Sequence, residues 1–492
     1  MEFGIIDKLI EAAGLYPEKT AFAECGGAGL TFAELESRAR NIAFALCSSG
    51  ASPIRPVAIL AGRTTGCIAA LFGAIWSGRW YVIIDSELPP DRINNMLAAA
   101  DPSAIITDLP VTAPFDVPVL TLSGNYAEAD SDFRPVMRRG DLPMFGIFTS
   151  GSTGRPKLVV KSADAMLSFI DVYCRTFGFD GSEIFGNQIP FFFDASTKDI
   201  FSTVWLGATC VLLPQSAFAF PINLISLLNE YRISTIVWVP SALAAAAKFD
   251  VFSAAKPEFL KNVLFVGERM PIKYLTAWKN ALPACRFVNL YGSTEVAGNS
   301  CYYVVEEGFE QKEILPIGIP FEGTRVFILD PQTGVPADEG EICIAGPGLA
   351  EGYLGEADKT SEVFRDLSIG NFTGRVYFSG DYGCLGDDGN YICISRRDSQ
   401  IKHMGHRIEL GEIEAKAGEL GFVNEVCCRY DAENEKIVLF YSADADCGRD
   451  IRRALCSVLP KYEIPHKFVY MPALPHNRNG KIDRAALNKM IY

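Results

Sequence analysis

The sequence predicts an α/β fold: a large N-terminal domain of α/β subdomains plus a β-rich subdomain, followed by a small mobile α+β C-terminal domain. Three observations carry this. Short apolar runs alternate with helix-period stretches over much of the chain; the pattern changes near Gly323 to short strands and Gly/Pro turns; and 492 residues are too many for one simple core.

Taken in order, the strand candidates are PVAILAG, YVIID, AIIT, MFGIFT, ATCVLLP, TIVWVP and VLFVG, each followed by polar or helix-period sequence. After Lys161, Ser162 is placed to cap a helix whose apolar residues Met166, Phe169, Ile170, Tyr173 and Phe177 fall on one face. From Gly323, RVFILDPQTGVPADEGEICIAGPG reads as strands broken by turns.

Composition narrows the function. Apolar residues make up 49% and charged residues 21%, an ordinary globular balance. The net charge of −14, with no long basic run, argues against a nucleic-acid partner. The 14 cysteines have no CxxC spacing, so they read as reduced thiols used as small hydrophobes rather than zinc ligands or a disulfide framework. The opening MEFGIIDKLIEAAGL carries acids where a secretory signal carries bases, and no apolar stretch reaches the ~20 residues that span a bilayer. A cytoplasmic monomer without membrane contact is expected.

The stretch FTSGSTGRPK, from Phe148 to Lys157, places glycines, hydroxyls and a lysine directly behind an apolar strand. It is not a Walker A loop, because Gly154 is followed by Arg155 and Pro156 instead of Lys and Ser or Thr. It nevertheless has the parts that hold phosphates: backbone N–H groups that glycine lets approach, hydroxyl donors and a cation.

Further motifs follow it: FFFDAST (Phe191 to Thr197), NLYGSTE (Asn289 to Glu295), GEICIAGPGLAEGYLG, YFSGDYG, SRRDSQIKHMGHRIELGEIE and NRNGKIDR. In this order they resemble the core motifs of the adenylate-forming enzymes, and within them the amino-acid adenylation domains of nonribosomal peptide synthetases and the D-alanine:carrier-protein ligases. The resemblance covers nearly the whole chain. It implies ATP-dependent activation of an amino acid as an aminoacyl adenylate, with release of pyrophosphate and transfer to the phosphopantetheine thiol of a carrier protein. By the same resemblance Thr149, Ser150, Gly151, Ser152, Thr153, Gly154 and Lys157 hold the ATP phosphates, and Glu295 with Thr153 binds Mg²⁺. Gly267, Leu290, Gly292, Ser293 and Thr294 belong to the nucleotide site; Asn289 bonds the adenine edge, Tyr291 stacks on it, and Asp381 accepts from the ribose with Arg396 nearby. Lys481 is the catalytic bridge between the attacking carboxylate and the α-phosphate, with Glu295 and Thr153 supporting it through the metal.

The implied domains are an adenylation core, 1–397, and a lid domain, 398–492, that swings about a hinge at Asp398; Gly405 then lines the thiol tunnel. His403 and His406 are given no catalytic proton. The implied acyl pocket is Asp194, Ala195, Lys198, Trp238, Leu264, Val266, Leu290, Gly298 and Asn299, with Asp194 on the substrate's α-ammonium. A carboxylate beside Phe191 to Phe193 would be a costly buried charge without such a partner. Lys198 suggests an acidic side chain in the substrate, against the alternatives that it pairs with Asp199 or another protein acid, or reaches water. No carrier domain follows Lys481 in this sequence, so the expected acceptor is a carrier in trans. Three positions depart from the family pattern: PKL stands for PKG, Lys161 lies where a histidine or other polar residue is common, and Ser293 replaces proline. A D-alanine ligase, an acyl- or aryl-CoA synthetase and a non-catalytic amino-acid or nucleotide sensor stay open as alternatives.

Overall fold

The seven apolar runs all fold as strands, because β-branched side chains buried on both faces are best satisfied in a sheet covered by helices. The computed structural model describes residues 4–27, 29–110, 116–124, 126–130, 132–136, 138–149, 156–249, 251–396, 400–432, 434–476 and 482–491. Two compact units divide the chain. The first holds Met1–Ser86, Ala100–Phe148 and Leu158–Arg397, and the second holds Glu87–Ala99, Thr149–Lys157 and Asp398–Tyr492.

In the first unit, strands Ile184–Asn187, Thr235–Trp238, Asn262–Val266 and Arg286–Tyr291 lie side by side and parallel in a nine-stranded sheet. Their carboxyl ends therefore share one edge, the edge at which open α/β sheets bind ligands. A seven-stranded sheet contains Val57–Leu60, Tyr81–Ile84, Ala104–Thr107, Pro143–Thr149 and Lys157–Ser162. One hydrophobic cluster draws side chains from both sheets, including Ile59, Phe145, Val237, Leu264 and Leu290. The helix Ala163–Phe177 fills part of the space, capped by Ser162 Oγ, which accepts from the Ala165 N–H; Met166, Phe169, Ile170, Tyr173 and Phe177 are all buried, as their spacing predicts. A second cluster, around Trp238, Phe265, Trp278 and Phe287, packs the opposite face of the nine-stranded sheet.

The change of pattern after Gly323 marks an antiparallel sheet of Arg325–Leu329, Glu339–Ala345, Phe364–Ile369, Phe372–Leu385 and Tyr391–Arg396. Its fourth strand is long enough to carry Asp381 well past the start of its pairing with Glu339–Ala345.

The second unit is α+β. Residues Glu425–Asp431, Lys436–Ser442 and Lys467–Tyr470 form a three-stranded sheet, and Gln400–His403 pairs with His406–Glu409 as a hairpin. The hairpin turns on Met404 and Gly405, both with positive φ (51° and 81°), which is the two-residue connection that matches strand twist. The positive φ at 405 favours glycine there. His403 and His406 are held neutral: burial lowers the first to about 4 and the second to about 3.

Candidate active site

Seven of the expected nucleotide residues, Gly267, Asn289, Leu290, Tyr291, Gly292, Ser293 and Thr294, lie at or just beyond the carboxyl ends of two parallel strands, for a reason legible in the chain. Gly267 directly follows Asn262–Val266 with φ of 99°, a conformation that favours glycine, and an added Cβ would meet only Val239 Cγ1 at 4.0 Å. Asn289, Leu290 and Tyr291 close the strand Arg286–Tyr291, and Gly292, Ser293, Thr294 and Glu295 continue beyond it.

Tyr291 is buried and its hydroxyl donates to Asp381 Oδ2 at 2.7 Å. Burial and the adjacent Asp381 carboxylate push the phenol well up, so it stays a donor. The other oxygen of Asp381 faces Arg396, with Nη1 to Oδ1 at 3.3 Å, and the Asp381 N–H donates to Ser379 Oγ at 3.1 Å. Asp381 is thus fixed in place and compensated, with acceptor lone pairs left for hydroxyl donors. Asn289 Nδ2 donates to the Pro316 carbonyl at 2.7 Å, which orients the amide and leaves its oxygen on the other side.

Glu295 is buried, and the Tyr353 hydroxyl donates to its Oε1 at 2.8 Å. A buried carboxylate suits a hard cation whose remaining ligands are phosphate oxygens, so the donor chemistry fits Mg²⁺. Thr149 ends the strand Pro143–Thr149 and Lys157 starts the neighbouring strand. Ser150, Gly151, Ser152, Thr153 and Gly154, together with Asp398 and Lys481, lie outside the described residues.

The acyl side is built by the segment after Ile184–Asn187. Asp194 opens a short 3₁₀ turn, and its carbonyl accepts from Thr197 Oγ1 at 2.6 Å; the helix Thr197–Leu206 follows, burying Lys198 and Asp199 in its first turn. Ala195, Leu264, Val266 and Leu290 pack in or against the first hydrophobic cluster. Gly298, at φ 65°, lies so close to the Phe169 ring that a Cβ there would collide with it. Asn299 is buried with Oδ1 lacking a hydrogen bond among the described residues.

Trp238 does not join them. Side chains alternate along a strand, and Val237 is the residue of Thr235–Trp238 that faces the first cluster; Trp238 points the other way, against Phe218, with Nε1 donating to the Gly186 carbonyl at 2.8 Å. Trp238, expected in the pocket lining, thus packs in the second cluster, and Val237 in the first.

Lys198 is only 1% exposed, and its Nζ makes no hydrogen bond among the described residues. It does not reach water and no direct ion pair joins it to Asp199 among the described residues, while the Asp194 and Asp199 carboxylates both act on it. Burial lowers it to about 8, opposed by Asp194 and Asp199. Asp199 is pushed up to about 6 by burial while Asn187 Nδ2 donates to its Oδ2 at 2.8 Å. Asn187 is in turn gripped by Arg63, whose Nη1 donates to the Asn187 carbonyl at 2.8 Å. Sequence reasoning did not find Arg63 or Asn187, which carry no motif.

It also missed the partner of Asp194. Lys161, fully buried on the strand Lys157–Ser162, forms an ion pair with Asp194 Oδ1, and its Nζ also reaches the Val296 carbonyl at 3.3 Å. Burial drives Lys161 down and Asp194 up, each opposed by the other. The signal was present in LVVKS, a charge inside an otherwise apolar buried strand.

Comparison with known proteins agrees with this geometry. Residues 9–354 match the family model described as AMP-binding enzyme. Bacitracin synthase 1 of Bacillus licheniformis is 32% identical over 97% of this chain, which spans 9% of that protein's length. The D-alanine–D-alanyl carrier protein ligase of Lactiplantibacillus plantarum is 30% identical over 99% of both chains. Among solved structures, holo-PA1221, a nonribosomal peptide synthetase protein with adenylation and PCP domains bound to a vinylsulfonamide inhibitor, superposes with a TM-score of 0.87 at 24% identity, covering 99% of this chain and 84% of that one; it shares the fold. No described helix is long and apolar enough to cross a membrane.

Proposed function

This chain belongs to the AMP-binding enzyme family, and from that premise we propose that it adenylates a carboxylic acid with ATP and passes the acyl group to the phosphopantetheine thiol of a carrier protein. In the first step a carboxylate oxygen attacks the α-phosphorus, the bond to the bridging oxygen of the β-phosphate breaks, and pyrophosphate leaves. In the second the thiol sulfur attacks the acyl carbon, AMP departs with the former carboxylate oxygen, and the thiol proton goes to solvent.

The observation that supports the reading is that Tyr291 and Glu295 lie at and beyond the carboxyl end of a parallel strand, while Asp381, bonded to Tyr291 and facing Arg396, comes from the antiparallel sheet; such a set suits a nucleotide's ring, ribose and phosphates. Tyr291 gives a flat face, Asp381 accepts from ribose hydroxyls, and Asn289 offers its amide oxygen to the adenine amine. Glu295 would hold Mg²⁺, which supplies neutralisation of the triphosphate. Lys481 acts by bridging the attacking carboxylate and the α-phosphate. Similarity to a carrier-protein ligase over the full length of both chains supports a carrier as acceptor.

The acid itself is less constrained by kinship. Relatives named for D-alanine speak for an amino acid. The expectation from sequence rested on the motif's Asp194 and on the cost of leaving it without a partner, and Lys161 removes the second of these grounds. Lys198, buried and without a hydrogen bond among the described residues, supports a second anionic group on the substrate.

Pyrophosphate exchange tests the first step and radiolabelled acyl transfer to holo-carriers the second. Lys481→Ala is expected to lower exchange by roughly 10²-fold or more with every acid, while transfer from a supplied acyl adenylate stays within about threefold. Equal loss of both steps would remove Lys481 from its assigned role.

A further inference from the structure

Asp194 is the residue on which an α-ammonium would have to sit, and the protein already supplies a cation there. Lys161 comes from the strand Lys157–Ser162, is 0% exposed, and is held from three sides: by Asp194 Oδ1, by the Val296 carbonyl at 3.3 Å, and by the Phe145 ring, whose centroid lies 5.7 Å from Nζ. Nothing in that setting lets the ammonium retreat to water. As an ion pair or with the proton shared, Lys161 and Asp194 together carry no net charge, so the carboxylate has no uncompensated charge left for a ligand cation.

The surroundings repeat the message. Lys198 stands four residues after Asp194, equally buried, and Asp199 is engaged by Asn187 Nδ2. Arg63 donates to the Asn187 carbonyl and side chain, on the Asp199 side of the cluster. Glu295, the other buried carboxylate near Lys161, is the residue assigned to the metal. With Glu295 included, three cations (Lys161, Lys198, Arg63) meet three carboxylates (Asp194, Asp199, Glu295). A substrate ammonium would add a fourth cation to a buried cluster whose charges already balance, beside the Lys161 ammonium that holds Asp194, and like charges brought together are disfavoured.

We propose that Lys161 occupies the place an α-ammonium would take on Asp194, and that the acid activated here carries no α-ammonium group. The inference rests on the adenylation reading above and names the substrate class of that same site. Lys161 is on this account a specificity-determining residue: it makes Asp194 part of the wall and leaves Lys198, buried without a hydrogen bond among the described residues, for an anionic or acceptor group of a des-amino acid.

Exchange assays on the unmodified protein with matched pairs decide it: glutarate against glutamate, succinate against aspartate, propionate against alanine. The des-amino member of the best pair is expected to lead by at least about thirtyfold in kcat/KM. Lys161→Met frees Asp194 and is expected to move that ratio toward the amino acid by about tenfold or more. If this variant fails to fold, as judged by loss of its cooperative melting transition, the wild-type ratio alone stands as the test. Exchange led by an amino acid in the unmodified protein overturns the inference. Silence with every acid of the panel overturns the adenylation reading and this inference with it, so the two failures are told apart.

Discussion

The surroundings of Asp381 and of Lys198, the proposed nucleotide and acyl sides, treat charged groups in opposite ways. Around Tyr291 and Asp381 each charge has its counterpart: the phenol donates to one carboxylate oxygen and Arg396 faces the other. Around Lys198 the balance is broken, with Lys198 Nζ, Asp199 Oδ1 and Asn299 Oδ1 all buried and making no hydrogen bond among the described residues. A satisfied network is rigid and binds what fits it in any family member. An unsatisfied one is poised for a particular ligand, because that ligand repays a desolvation the folded protein already carries. Nucleotide binding is in this sense the general half of the site, and acid binding the individual half.

The widest break between the halves should come from Asp381→Asn. Loss of the carboxylate leaves Tyr291 and Arg396 facing a weaker acceptor, and hydrogen bonds to charged groups are worth roughly 1.5–3 kcal/mol, so KM for ATP is expected to rise about tenfold to a hundredfold. The order of preference among acids should not change. A reshuffled acid preference in this variant would show the two halves to be coupled.

Lys198→Met sharpens the other half. Removing a buried unpaired cation is expected to raise the melting temperature by a few degrees, in keeping with about 1 kcal/mol of relief, and to cost a dicarboxylic substrate about tenfold in kcat/KM while sparing a monocarboxylic one. The same lysine sets a pH dependence. Its folded value of about 8 means that it is charged below that pH and neutral above it, so KM for a dicarboxylate should climb between pH 7 and pH 9 in the parent protein and stay flat in the variant. A flat profile in both would place the second carboxylate elsewhere.

The smallest effect lies in the hairpin of the second unit. His403 and His406 have folded values near 4 and 3 against an ordinary 6.5, so the unfolded chain binds more protons between these limits and stability falls as pH drops below 6.5. Hydrogen exchange of the Gln400–Glu409 amides should quicken from pH 6.5 to pH 4.5, after correction for intrinsic rates, and His406→Phe should reduce the trend. His406 stacks on Tyr462 with centroids 3.5 Å apart, a contact that an apolar ring can keep.

Much of the general half was legible in the chain. The strand runs, the Ser162 cap and the turn-rich β subdomain follow from local periodicity and turn chemistry, and NLYGSTE and YFSGDYG name residues that the structure brings together as Tyr291 and Asp381. The individual half resisted for two physical reasons. A strand's period of two decides which cluster each neighbour joins, Val237 the first and Trp238 the second, and a motif does not reveal that. Ion pairing across sequence distance leaves no local trace: Lys161 and Asp194 are 33 positions apart, and Arg63 reaches Asn187 from 124 positions away.

The Lys161–Asp194 pair also constrains how this protein can diverge. Replacing either member alone strands a buried charge, a loss of the order of 3 to 5 kcal/mol, comparable to much of the stability of a domain. The two positions must therefore drift together or through a neutral bystander, and a lineage that holds them is barred from wandering one substitution at a time into a neighbouring substrate niche. Substrate choice is inherited here as a linked pair of residues, protected by the folding free energy itself.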